Sequence, residues 1–191
     1  MKMLQKSILI GLVCAGLPLV ANANDVDDAI KAATEHYKAG ELSKAIAQLD
    51  YASTLLRQEK GEQVKQVFPA APSGWQAEDA ESDVAGAAMF GGGISASRQY
   101  YNDEQRFEIQ LMMDSPMLQA FSMMLSNPSM IAMSGGKLIK IQGLQAVQKL
   151  EGDQLEIQFL SPTGAMVTLS GDKAAQSTML ALANAIDLKK L

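Results

Sequence analysis

The chain has 191 residues, a formal net charge of −5, one cysteine and one histidine. An acidic chain without a basic run repels phosphate backbones and anionic lipid headgroups, so the composition argues against binding nucleic acid or a membrane surface. Histidine is the usual base of hydrolase triads and the commonest ligand of catalytic zinc, and His36 alone cannot build either site. We therefore assign His36 a packing or surface role and predict no catalytic residue, no metal site and no cofactor.

Residues 1–23 have the pattern of a secretory signal peptide. Two lysines precede an apolar run from Ser7 to Val20, and small residues flank the end of the segment at Ala21 and Ala23. The apolar run is about 14 residues long, whereas a membrane-spanning helix needs about 20. We predict cleavage between Ala23 and Asn24, a periplasmic protein of a bacterial envelope, and no stable membrane span after cleavage.

Two alternatives stay open for this segment. Residues 1–23 could remain as an uncleaved anchor, or a lipid could be attached at Cys14, where Val13 stands in place of the small residue of a lipoprotein signal. After cleavage the chain would keep no cysteine, so disulfides could not stabilise it. Its formal charge would change from −5 to −7, because two lysines and no acidic residue are lost.

Residues 24–67 have a helical apolar period that breaks once, at Gly40. Apolar residues recur at spacings of three and four at Ile30, Ala33, Tyr37, Leu42, Ala45, Ile46, Leu49, Ala52, Leu55 and Leu56. This spacing predicts an antiparallel helical hairpin with a short turn at Ala39-Gly40.

Part of the hairpin resembles one tetratricopeptide unit. The residues that carry the resemblance are Ala32, Ala33, His36, Gly40, Leu42, Ala45, Leu49 and Ala52. The family has small residues where its two helices cross and larger ones between them, and this chain departs from it at His36, where tyrosine is usual. A solenoid needs about three such units, and no second copy is found. We expect the hairpin to pack on its own domain or on another subunit.

Residues 68–76 are rich in proline and glycine and predict a linker. From residue 77 to 191 the apolar period becomes two, most clearly over 107–113 and 154–159, with shorter candidate strands at 87–101, 137–142, 144–150 and 165–170. A helix is predicted after Asp114-Ser115-Pro116, a short turn at 129–133, and a closing helix at about 172–188. The fold class that follows is α+β: a helical hairpin, then a mostly antiparallel β-sheet with an inserted helix and a C-terminal helix.

The order of these elements is similar to that of small exported PsbP-like domains and of bacterial envelope proteins without an assigned activity. It consists of a proline-rich entry with Trp75, paired strands, the helix after Asp114-Ser115-Pro116, a four-strand meander and a closing helix. The resemblance implies a binding or accessory role and no reaction.

Three short patterns suggest chemistry and have simpler explanations. Ser134 and Lys137 have the spacing of a Ser-Lys dyad, but two glycines lie between them and disfavour the helix that the dyad needs. The glycines at 91–93 have no following helix and no lysine, so we predict a bulge or a close backbone approach. Acidic residues cluster before the first strand at Glu78, Asp79, Glu81 and Asp83, and we interpret them as a solvated loop.

The methionines are the unusual feature of the composition. The chain has 12, and seven fall between residues 112 and 133. We predict a candidate apolar binding surface at Met112, Met123, Met130 and Met133. Core filling is one alternative, since Met117 and Met124 lie on the predicted core stripe. A copper(I) site is another, since thioethers are soft ligands that Met123, Met124, Met130 and Met133 could supply.

We predict a non-enzymatic binding or accessory module that recognises an apolar ligand or an envelope protein partner through the helical pair and the methionine-rich helix. The alternatives are a hydrolase of envelope glycans that works through paired carboxylates, and the copper(I) protein. The identity of the ligand or partner, and the oligomeric state, stay open.

Overall fold

The computed structural model describes residues 23–84 and 93–191. Two N-terminal helices precede a mostly antiparallel β-sheet with further helices, so the predicted α+β class is confirmed. Most of the predicted signal peptide, together with Gly91 and Gly92, lies outside the described residues. Gly93 is described. Its φ is +121°, and a Cβ there would lie 2.6 Å from the carbonyl oxygen of Met113, in agreement with the predicted close backbone approach.

The predicted helical hairpin is present. Helix α1 spans Ala23–Lys38 and helix α2 spans Leu42–Val64. Gly40 adopts a φ of +76°, a left-handed conformation that suits glycine and ends α1. The amide of Glu41 donates to the carbonyl of His36 at 2.9 Å, which satisfies one of the last carbonyls of the helix.

The sheet has eight strands in the described residues: β1 (Gln76–Ala77), β2 (Glu81–Asp83), β3 (Ile94–Tyr101), β4 (Arg106–Met113), β5 (Lys137–Ile141), β6 (Leu144–Glu151), β7 (Gln154–Leu160) and β8 (Met166–Asp172). Their order is β1-β3-β4-β8-β7-β6-β5, and β2 pairs with the same strand as β1. Strands β1 and β2 are therefore two pieces of one interrupted edge. The meander from β5 to β8 joins the β3-β4 hairpin through the pairing of β4 with β8.

Three shorter α-helices complete the described fold: α3 (Met117–Leu125), α4 (Pro128–Met133) and α5 (Gln176–Ala183). The predicted C-terminal helix is too long at both ends. Asp172 belongs to β8, where its carboxylate accepts the amide of Arg106 at 2.9 Å. At the other end Asn184 caps α5, and the short helical turn Leu188–Lys190 is separate.

One face of the sheet carries the main core. Alternate residues of the central strands are almost fully buried, and α5 together with the segment after α2 covers them. The predicted linker, residues 68–76, is part of this cover. Phe68 is buried, and the hydroxyl of Tyr100 donates to the carbonyl of Pro69 at 2.7 Å. The ring of Trp75 packs edge-on against Phe107, with centroids 5.2 Å apart.

The C-terminal end of α2 packs on the sheet, which answers where the hairpin sits. Gly61 approaches β2 so closely that a Cβ there would lie 3.1 Å from the hydroxyl oxygen of Ser82. The ammonium of Lys60 pairs with the carboxylate of Asp114 at 2.6 Å. Helix α1 packs along α2. Within residues 23–84 and 93–191, no helix has the length and apolar character required to cross a membrane.

Candidate functional site

A stretch that we call the methionine segment, residues 115–136, contains α3 and α4 and has no charged side chain. Helix α4 starts at a proline, and the side chain of Asn127 accepts hydrogen bonds from the amides of Ser129 and Met130. This capping separates α4 from α3, which ends at Leu125. Asp114 does not cap α3. Its φ is +55° and its carboxylate is directed to Lys60.

The methionine segment rests on a small second core. Leu125, Ile131 and Val147 are buried there, with Phe121 and Leu160 packed against them. Val147 and Leu160 follow Ala146 and Phe159, which belong to the main core, so this second core lies on the opposite face of the sheet. The two helices are therefore attached by one side only.

Four methionines of the segment are more than half exposed. The exposed fractions are 57% for Met117, 71% for Met123, 51% for Met130 and 88% for Met133. Met117 was expected in the core stripe, and only Phe121 and Met124 of that stripe are half-buried. Solvent-exposed thioethers on an uncharged segment form an adaptable apolar surface.

Met112, the fourth member of the predicted surface, is half-buried and belongs to the sheet. It pairs with Met166, which pairs with Leu160 of the second core. The structure thus places Met123, Met130 and Met133 on the two helices. Met112 lies in the sheet, in a row of apolar residues that runs across β4, β8 and β7 toward the second core.

A second apolar surface, which we call the hairpin face, consists of Ile30, Tyr37, Leu42, Ile46, Leu49 and Leu56. Each of these side chains is between 46% and 69% exposed. The residues that α1 and α2 bury against each other are small, notably Ala29, Ala33, Ala45 and Ala52. The sequence pattern placed large and small residues on the same stripes, but of the large ones on α2 only Leu55 is buried.

The members of the hairpin face point to one side. At about 100° per residue, Leu42, Ile46, Leu49 and Leu56 occupy an arc of about 80° on α2, and Ile30 and Tyr37 one of about 20° on α1. On each helix the buried alanines form a line of contact with the other helix. Viewed down the helix axis from its N-terminus, each arc lies clockwise of that line. Because the helices are antiparallel, both arcs turn toward the same side of the hairpin.

Most of the remaining open sheet face is polar. One row across the strands contains Glu108, Ser170, Glu156 and Lys149. Lys149 pairs with Glu151 at 2.5 Å, and the hydrogen bond with this lysine lowers the pKa of the Glu151 carboxyl. These groups are accessible to water on a shallow surface.

Three other patterns were singled out from the sequence, and one of their residues, Ser134, lies within the methionine segment. The hydroxyl of Ser134 donates to the carbonyl of Ile131 at 2.8 Å and is not directed to Lys137. His36 bonds the carboxylate of Glu41 at 2.6 Å at the hairpin turn. The acidic cluster follows the β1-β2 edge, and its members Glu78, Asp79, Glu81 and Asp83 are exposed.

No protein-family model, curated protein or solved structure matches this chain. The two exposed apolar surfaces are therefore interpreted from their own geometry.

Proposed function

We propose that this chain is an exported bacterial envelope protein that acts as a non-enzymatic binding or accessory module. Its methionine segment would hold an apolar ligand or the apolar part of a protein partner. The observation that supports the proposal most is the exposure of four methionines within one uncharged segment that is anchored on one side. The signal-peptide pattern of residues 1–23 supports export.

Covering the methionine segment is favourable because it removes apolar surface from water. Burying apolar surface is favourable by about 25 cal/mol per Å², so a partner that covers these side chains is stabilised without any need for charge pairing. Methionine has three rotatable bonds and a polarisable sulfur, which lets one surface fit ligands of varied shape. Such a surface suits recognition of apolar groups more than selection of one polar substrate.

The test is native mass spectrometry of the protein purified from envelope extracts, with a matched pair of variants. Met123→Gln with Met133→Gln removes the two most exposed thioethers at nearly constant size. Tyr101→Gln with Leu150→Gln is the control, since these residues are 37% and 43% exposed on the sheet and neither belongs to the second core. We expect a bound apolar species on the wild type and the control, and at least a tenfold lower occupancy on the methionine variant.

The outcomes separate the proposal from its alternatives. Equal occupancy on both variants would place the ligand elsewhere and contradict the proposal. A mass increase of one copper ion that is lost with the methionines would support the copper(I) alternative. Fluorescence of an anilinonaphthalene sulfonate probe, measured on the same proteins, reports the apolar surface itself.

A further inference from the structure

The hairpin face is an apolar surface that the described chain leaves uncovered. Leu42 is 58% exposed, Ile46 59%, Leu49 53% and Leu56 50%. With Ile30 and Tyr37, these side chains expose on the order of 600 Å² of mostly apolar surface, the upper end of what a monomeric protein usually carries in one patch. The face is separate from the methionine segment, so the inference drawn from it does not depend on the proposed function.

The spacing along α2 indicates what kind of element fits this face. Leu42, Ile46, Leu49, Ser53 and Leu56 alternate by four and three residues. This alternation is the period of a helix that packs lengthwise against another helix, and it continues for about 21 Å along the axis. We call this stripe of α2 the seam. Helix α1 does not cover it, since α1 packs on the neighbouring line of alanines, Ala45 and Ala52.

The area is sufficient if the occupant is a second copy of the chain. Over two copies the face amounts to about 1,200 Å², the lower bound for a stable and specific protein interface. A two-fold pairing hides it most fully between Leu49 and Leu56, since the C-terminal end of α2 packs on its own sheet. The same patch serves both subunits, as two-fold symmetry requires.

The charges beside the seam indicate the direction of pairing. Asp50 and Arg57 lie on its flank away from α1, one heptad apart. Neither forms an ion pair with any residue of 23–84 or 93–191. A parallel pairing would place Asp50 beside Asp50 and Arg57 beside Arg57. An antiparallel pairing places each beside its opposite charge, twice per dimer.

We propose that the protein forms a dimer through the hairpin face, with α2 of one copy antiparallel to α2 of the other across a two-fold axis near Ser53. Leu49 of each copy packs against Leu56 of its partner, and the Asp50 carboxylate pairs with the partner's Arg57. Helix α1 adds Ile30 and Tyr37 to the edge of the interface.

Sedimentation equilibrium of the protein as purified from its expressing cells tests the dimer. We expect twice the chain mass for the wild type and a single chain mass for Leu49→Glu. Tyr51→Glu is the matched control, since Tyr51 is 52% exposed on the other side of the same helix. It should stay dimeric. Circular dichroism of each variant checks the fold, and all of them should remain helical because the substituted residues are exposed.

Two further variants test the antiparallel arrangement. Asp50→Arg and Arg57→Asp should each raise the dimer dissociation constant about tenfold, and the double variant should restore it. Ser53→Cys should form a disulfide-linked dimer on oxidation, whereas Gln58→Cys, exposed about 140° around α2 from Ser53, should not.

A stable dimer has a dissociation constant well below about 100 μM. A wild type that still sediments as a single chain at about 100 μM would therefore overturn the proposal. So would a Leu49→Glu variant that keeps the dimer mass, or a double charge variant that remains tenfold weaker than the wild type.

Discussion

The sheet and the helical hairpin use their apolar residues in opposite ways. In the sheet, alternate large residues such as Ile109, Leu111 and Ile157 are completely buried. In the hairpin, half of the buried residues are alanines, and Leu49 and Ile46 remain more than half exposed. The sheet therefore completes its core within the chain, whereas the hairpin leaves most of its large side chains exposed in the described fold.

The difference follows from how the two helices of the hairpin approach each other. Small residues on both helices, such as Ala33 and Ala52, allow the backbones to come close, and close contact stabilises the pair through many weak attractions. Along the alanines there is little room for large side chains, so most of them lie along the flank, with the buried Leu55 as an exception. The residues that stabilise the hairpin are therefore different from the apolar residues that its flank exposes.

The largest expected effect is in the sheet core. Phe159→Ala removes a fully buried ring, and we expect a loss of about 3–5 kcal/mol in the free energy of unfolding from lost burial and the cavity left behind. Leu49→Ala in the hairpin should change it by less than about 0.5 kcal/mol in the monomer, because half of that side chain is already in water. Urea unfolding followed by circular dichroism measures both.

Leu150→Ala controls for position in the sheet, since Leu150 is 43% exposed. It should behave like Leu49→Ala. Similar losses for Phe159→Ala and Leu49→Ala at low protein concentration would show that the hairpin flank is covered within one chain, and would remove the contrast between the two regions.

The next effect is in the contact between the two helices. Ala52→Leu inserts three carbon atoms into the alanine line, and overpacking of this kind costs about 1–3 kcal/mol. We expect faster hydrogen exchange of the α1 amides with unchanged exchange in β4 and β7, because the crossing is lost while the sheet core is not. Ala47→Leu, at an exposed position of the same helix, is the control and should leave both regions unchanged.

How much of this could be predicted from sequence differs between the regions for a physical reason. In β4 and β7 a period of two separates buried from exposed residues without ambiguity, and Phe107 to Met113 were placed correctly. In α2, Ala45 and Leu49 lie only about 40° apart, so a helical stripe cannot show which of them the partner helix covers. The four-three alternation that begins at Leu42 was the available signal for a separate seam.

The short edge strands and the sheet order could not be predicted from the sequence, for a different reason. β1 and β2 have two and three residues, too few for a period to show. The pairing of β4 with β8 joins residues about 60 positions apart and depends on the whole fold. Of the candidate site, the exposure of Met123, Met130 and Met133 followed from a segment with more apolar residues than its small second core can bury.

A smaller effect comes from Tyr100, which ties the segment after α2 to the sheet. Its hydroxyl donates to the carbonyl of Pro69, and the guanidinium of Arg98 donates to the same oxygen at 3.3 Å. Tyr100→Phe should lower the free energy of unfolding by about 1 kcal/mol, the usual net value of one hydrogen bond, since Arg98 still satisfies the carbonyl. Urea unfolding at neutral pH measures it.

The pH dependence of the same variant provides its control. Burial raises the pKa of Tyr100 to about 12 from an ordinary value of 10.0, and the nearby Arg98 charge partly opposes this. Between these values the unfolded chain loses the proton more readily than the folded chain, so the stability of the wild type falls as the pH rises through this range. Tyr100→Phe should fall less steeply, and equal slopes would contradict a buried, protonated Tyr100.

The smallest expected effect is at the hairpin turn, where charges and not burial hold the chain. Glu41 accepts hydrogen bonds from Lys44 at 2.9 Å and from His36 at 2.6 Å, and these two contacts, the Lys44 bond first, lower the pKa of its carboxyl below the ordinary 4.5. The unfolded chain then takes up this proton first as the pH falls. The stabilisation is complete above pH 4.5 and is lost on acidification below it.

Glu41→Gln should therefore reduce the loss of hairpin stability that acidification causes. It should change this stability little at neutral pH, because the carboxylate is open to water and screened. A carbon-detected NMR titration of the Glu41 carboxyl gives its pKa directly, and amide exchange at Ala39 and Gly40, compared between wild type and variant at each pH, gives the local stability. Glu35→Gln, on the exposed side of α1, is the control. A Glu41 carboxyl that titrates at or above 4.5 would mean that its contacts with Lys44 and His36 do not stabilise the turn, and that backbone hydrogen bonds such as that of Glu41 to His36 hold it.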